Sequence, residues 1–123
     1  MKPLFHLLCA CAASLAGHGI ALANDFPTVE RVLYVQECMA AHPGGGTSFE
    51  MTSKCSCALD ALARQIGYDD YAEMSTAAKA TTIAGERGGE IRDSEKMQAA
   101  IKRYRALQAS AEQGCFIGPA AAR

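Results

Sequence analysis

Cys38, Cys55, Cys57 and Cys115 are the residues best able to do chemistry. Thiols can bridge one another, hold soft metals or exchange with other disulfides. Cys55-Ser56-Cys57, with Lys54 beside it, could form a reactive pair, because a neighbouring ammonium favours the thiolate. Met39, His42 and Met51 lie close by in sequence. Together with Cys55 and Cys57 they form a soft donor set suited to Cu(I). The paired Cys-x-x-Cys or His spacings of a zinc motif are absent, as is the Cys-x-x-Cys-His of covalent haem attachment.

The compartment decides between reactive and structural cysteines. Met1-Lys2, an apolar stretch over Leu4 to Leu15, and the small-x-small site Ala21-Leu22-Ala23 follow the pattern of a cleaved leader. The apolar run is short of the ~20 residues that a membrane span needs. Residues 1–23 therefore read as a signal peptide and residues 24–123 as one domain in the periplasm. Cleavage removes Cys9, Cys11 and Lys2, leaving four cysteines and 11 basic against 13 acidic residues. An even cysteine count in a small exported domain points to two structural disulfides. A slightly acidic domain lacks the basic excess of a nucleic-acid binder.

Four helices are expected to position these residues, making a small all-α domain stapled by two disulfides. The first opens at Asp25 as N-cap, with Pro27 in its first turn. Val29, Val32, Leu33, Val35 and Met39 form its apolar side, and Pro43 with Gly44-Gly45-Gly46 stops it. Thr47-x-x-Glu50 is a capping box for the second. Met51, Cys55, Leu59, Leu62 and Ile66 recur at helical steps along it, and Gly67 is its C-cap. Asp69 caps a third helix running towards Ile83. Asp93 or Ser94 caps a fourth, striped by Met97, Ile101, Tyr104, Gln108 and Ala111 and ended by Gly114.

Cys55–Cys57 is disfavoured as a bridge, because residues two apart on a helix point to different sides. The other two pairings both tie the first helix to the second and the second to the C-terminal tail. Cys38–Cys55 with Cys57–Cys115 is favoured over Cys38–Cys57 with Cys55–Cys115. Cys55 is the nearer partner across the hairpin and lies on the inward stripe. Bridging leaves Met39, His42 and Met51 as the free soft donors, two of them in core stripes, so no metal site is favoured.

Gly85 to Asp93 reads as a loop. Glu86, Arg87, Glu90, Arg92 and Asp93 make it a candidate recognition surface, with Arg87 and Arg92 able to clamp a carboxylate. Lys102, Arg103 and Arg105 around Tyr104 read as a solvated helix face. Ser48, Ser53 and Ser56 lack a base at any motif spacing, and adjacent Asp69 and Asp70 include a helix cap. The expectation is therefore a non-enzymatic protein with no cofactor.

Several strings carry a family resemblance: Tyr34-Val35-Gln36-Glu37-Cys38-Met39, His42-Pro43-Gly44, Lys54-Cys55-Ser56-Cys57, Tyr68-Asp69-Asp70-Tyr71, and Gly85-Glu86-Arg87-Gly88 with Arg92-Asp93. Over residues 30–117 the chain resembles a family of small exported proteins associated with bacterial quinoprotein (PQQ-dependent) alcohol oxidation. The resemblance implies a periplasmic accessory role, with a quinoprotein dehydrogenase or its electron acceptor as protein partner. It implies no catalytic residue. The alternative expectation is a copper carrier or thiol–disulfide protein using Cys55-Ser56-Cys57.

Overall fold

The computed structural model describes residues 24–119; the expected leader, residues 1–23, lies outside them. Five helices form: α1 (Thr28–Ala41), α2 (Ser48–Ala63), α3 (Tyr68–Ala80), α4 (Glu86–Asp93) and α5 (Glu95–Gly114). There is no strand among the described residues. The all-α fold with two disulfides is as expected. The fifth helix is α4, which occupies the stretch read as a loop.

The central element is α2. Thr47 Oγ1 accepts from the Glu50 backbone N–H at 3.3 Å, and the Glu50 carboxylate accepts from the Thr47 N–H at 3.0 Å, completing the expected capping box. Its inward stripe is Met51, Cys55, Ala58, Leu59 and Leu62. It packs against α1 on one side and α5 on the other, and α5 also covers α3. Ile101, Tyr104 and Ala111 turn inward from α5.

Aromatic rings fill the remaining core. Tyr71 of α3 stands between Phe26 at 4.8 Å, Tyr104 at 5.9 Å and Tyr34 at 6.4 Å, measured between ring centroids. These side chains determine how α1 faces the core. The expected apolar side was Val29, Val32 and Leu33, but these are 61%, 50% and 42% exposed. Tyr34 and Cys38 are buried instead. A tyrosine ring buries more area than a valine, and the Cys38 bridge fixes the same rotation. Only Val35 and Met39 of the expected stripe pack partly against the core.

The helix ends also depart from the sequence reading. Asp25 is not the cap of α1, whose N-cap is Pro27 with no side-chain hydrogen bond. The Asp25 carboxylate accepts from the Tyr68 backbone N–H at 2.9 Å, so it serves the start of α3. That start is Gly67, not Asp69, and α2 ends earlier at Arg64. The four free N–H groups of a helix can be met by any acceptor that tertiary packing supplies.

Candidate functional site

The disulfides are Cys38–Cys55 and Cys57–Cys115, each with Cα atoms 5.9 Å apart. Residues two apart on α2 point to different sides, so Cys55 meets α1 and Cys57 meets the tail after α5. The Cys55-Ser56-Cys57 motif is thereby divided between two bridges. Cys55 is fully buried and Cys57 exposed.

The second bridge ties the end of α5 to α2, and Glu112 near that end lies beside the C-cap of α1. His42 is the C-cap of α1, and the turn after it uses Gly44 at φ +78°. That turn folds the imidazole inward, leaving His42 only 7% exposed. Its Nε2 lies 3.5 Å from Glu112 Oε2 of α5 but has no hydrogen-bond partner. Cys38 completes the cluster: Cys38 Sγ, a His42 ring nitrogen and a Glu112 oxygen all lie within 4.8 Å of one another.

Nearby, the Tyr34 hydroxyl is also buried without a hydrogen bond, although the Gln108 side chain lies close. Burial, and then the negative charge of Glu112, holds its acidity well below that of a free tyrosine. The protein thus has a buried polar cluster beside Cys38.

The soft donor set read from sequence is not brought together. The Met39 sulfur accepts from Thr52 Oγ1 at 3.5 Å on the outer side of the α1–α2 pair. Met51 is buried beneath Gly45, and Cys57 is bridged to Cys115. Of that set, His42 lies in the polar cluster, and Cys55 reaches it through its bridge to Cys38. Glu112 had no motif to mark it. The one available signal was its position three residues before Cys115, whose bridge pulls it towards α1 and α2.

A groove of about 510 Å³ runs between the outer faces of α1 and α2. Val32, Val35, Met39 and Leu59 supply its apolar wall. Arg31 and Asp60, 3.6 Å apart, form an exposed ion pair on its rim.

The stretch Gly85–Asp93 is the clearest correction. Gly85 at φ +84° turns the chain, and residues 86–93 form α4. Its glycines give α4 low intrinsic propensity, but Gly88 lets the helix press onto the Ile83 carbonyl, where a Cβ would clash. Glu86 in the first turn and Arg92 in the last match the helix dipole. Arg92 is engaged within the chain. Its guanidinium donates to the carbonyls of Ile83 at 3.0 Å and of Thr81 and Gly85 at 3.4 Å. Glu86, Arg87, Glu90 and Asp93 are exposed on the helix. Ser94, not Asp93, caps α5 by accepting from the Met97 N–H.

No family model matches the chain, and searches of curated proteins and of solved structures find no significant match.

Proposed function

We propose that the protein is an exported, non-enzymatic binding module of the periplasm that serves a quinoprotein dehydrogenase or that enzyme's electron acceptor. The observation that carries this reading is the apolar α1–α2 groove. Val32, Val35, Met39 and Leu59 line it, and exposed Val29 and Leu33 extend the apolar surface along α1. Single exposed apolar residues are ordinary, but contiguous ones along a groove suit an interaction face. The groove fits an amphipathic helix of the partner, which would lay apolar residues spaced three and four apart between α1 and α2.

The disulfides are compatible with an oxidising compartment. No helix among the described residues is long and apolar enough to cross a membrane. The leader pattern supplies the route of export, and the family resemblance supplies the class of partner.

The test is calorimetric titration against a purified periplasmic quinoprotein dehydrogenase and its electron-acceptor protein from the same cell. The parent chain should bind one of them, and Val32→Asp should abolish the heat of binding. Val32 is half exposed, so folding stability should change by no more than about 0.5 kcal/mol. Binding unchanged by Val32→Asp would remove the groove from this reading. Failure of the parent chain to bind either protein would remove the partner.

A further inference from the structure

We infer that the Cys38–Cys55 disulfide locks a latent zinc site, which reduction opens, with Cys38, Cys55, His42 and Glu112 as ligands. Two independent observations lead there. Cys38 Sγ, the His42 imidazole and a Glu112 oxygen lie within 4.8 Å of one another, and Cys55 is covalently joined to the first of them. Separately, His42 Nε2 is buried and makes no hydrogen bond, with Glu112 Oε2 3.5 Å away. A buried polar atom without a partner costs stability and calls for an explanation. A ring nitrogen that serves as a ligand in a second redox state supplies one.

In the disulfide form the cluster offers one imidazole and one carboxylate, because bridged sulfur is a poor donor. Reduction adds two thiolates at the same place. Two sulfurs, one nitrogen and one oxygen make a four-donor set suited to Zn²⁺, which accepts all three ligand types in tetrahedral sites. The carboxylate makes the set less suited to Cu(I), which prefers sulfur alone. No spacing motif shows it, because the donors come from α1, its C-cap, α2 and α5.

The redox step uses a dithiol as reductant. One of its thiolates attacks a sulfur of the Cys38–Cys55 bridge and forms a mixed disulfide, releasing the other cysteine as a thiolate. The second thiol of the reductant then displaces the remaining cysteine and becomes part of a new disulfide. Two electrons pass to the protein, and Cys38 and Cys55 take up two protons. Zn²⁺ binding sends those protons to solvent. In reverse, a disulfide oxidant removes the two electrons, the bridge reforms and zinc leaves. Cys38 and Cys55 are at most 3% exposed, so attack requires the last turn of α1 to lift beside the glycines at 44–46.

The test uses the full chain with Cys9, Cys11, Cys57 and Cys115 replaced by serine, so that Cys38 and Cys55 are the remaining thiols. It is reduced with a phosphine and titrated with Zn²⁺ against a chromophoric chelator. Co²⁺ serves as the spectroscopic probe, and circular dichroism follows helicity. One Zn²⁺ per chain should bind, with thiolate-to-cobalt absorption in the Co²⁺ form. His42→Ala and Glu112→Gln should each weaken binding at least about tenfold, and the disulfide form should bind far more weakly. Binding indifferent to His42→Ala would mean adventitious thiol binding and overturn the proposal. So would equal binding by the oxidised chain, or a reduced chain that unfolds and is not restored by zinc.

If the four serines themselves prevent folding, the parent chain decides the matter by alkylation mapped on peptides. Zinc should protect Cys38 and Cys55 in the reduced parent and leave Cys57 and Cys115 reactive. The opposite pattern, or no protection, would sink the idea.

Discussion

Around α2, the molecule is held by sulfur as well as by apolar packing: Cys38–Cys55 joins α1, Cys57–Cys115 joins the end of α5, and Ala58, Leu59 and Leu62 are buried along the helix. Around α3 and α4 there is no bridge. Tyr71 packs on four aromatic rings, Lys79 pairs with Glu37 across to α1 at 2.7 Å, and Arg92 ties α4 to three carbonyls. Ala58 allows close approach but removes little apolar area from water, and the covalent links add to what Leu59 and Leu62 contribute there. Tyrosines bury enough area to do without links. The weakest element is then α4, whose only buried residue is Gly88.

The largest effect should come from removing sulfur. Replacing Cys57 and Cys115 by alanine should cost roughly 4 kcal/mol, and replacing Cys38 and Cys55 roughly 3 kcal/mol, as expected from their loop lengths. Denaturant titration of each double mutant would show whether the longer ring matters more. A smaller loss from the Cys57–Cys115 pair would mean that the α2 half does not rely on its bridges in this way.

Gly88→Ala should be next. Its Cβ would run into the Ile83 carbonyl, which is backbone and yields little. The expected cost is about 1–3 kcal/mol. Hydrogen exchange should show α4 opening while α2 stays protected.

Alkaline pH should act on the aromatic half. Burial pushes the Tyr71 hydroxyl up to about 12, from an ordinary value of 10.0. Between these values the unfolded tyrosine is ionised and the folded one is not, so the unfolded state binds fewer protons. The contribution of Tyr71 is therefore complete below pH 10 and is lost as pH rises towards 12. The slope is about 1.4 kcal/mol per pH unit for each such tyrosine. Tyr71→Phe should reduce that slope by one tyrosine's share in melts taken between pH 10 and 12.

Arg92→Ala should have the smallest effect, about 1 kcal/mol, because its hydrogen bonds lie at an exposed surface. Exchange protection should fall in the residues joining α3 to α4. A loss confined to α5 would break the assignment of Arg92 to that joint.

What the sequence made legible follows the range of the forces involved. The α2 stripe and the Thr47–Glu50 box depend on residues three and four apart, so they could be read directly. Helix geometry removed only Cys55–Cys57; between the two remaining pairings, the nearness of Cys55 to Cys38 across the hairpin pointed to the one that forms. The facing of α1 could not be read, because Val29, Val32 and Leu33 are as apolar as any core stripe. Only the distant aromatic cluster turns Tyr34 inward in their place. Asp25 looked like a local cap and instead serves Tyr68, 43 residues away. The polar cluster was the least legible. His42 was visible as a possible ligand, but Glu112 reaches it only after α5 folds back along the whole domain.

Traced through covalent bonds, the described chain is two closed rings, residues 38–55 and 57–115, joined by Ser56 alone. A single proteolytic cut in the glycine turn at 44–46, or in the segment between α3 and α4, would open a ring but release no fragment. On a non-reducing gel the nicked protein should run as one piece. Tension applied to the two ends would bypass residues 39–54 and 58–114 entirely. It would pass through two sulfur bridges and the short stretch of α2 around Ser56, so that one turn of one helix forms the mechanical waist of the molecule.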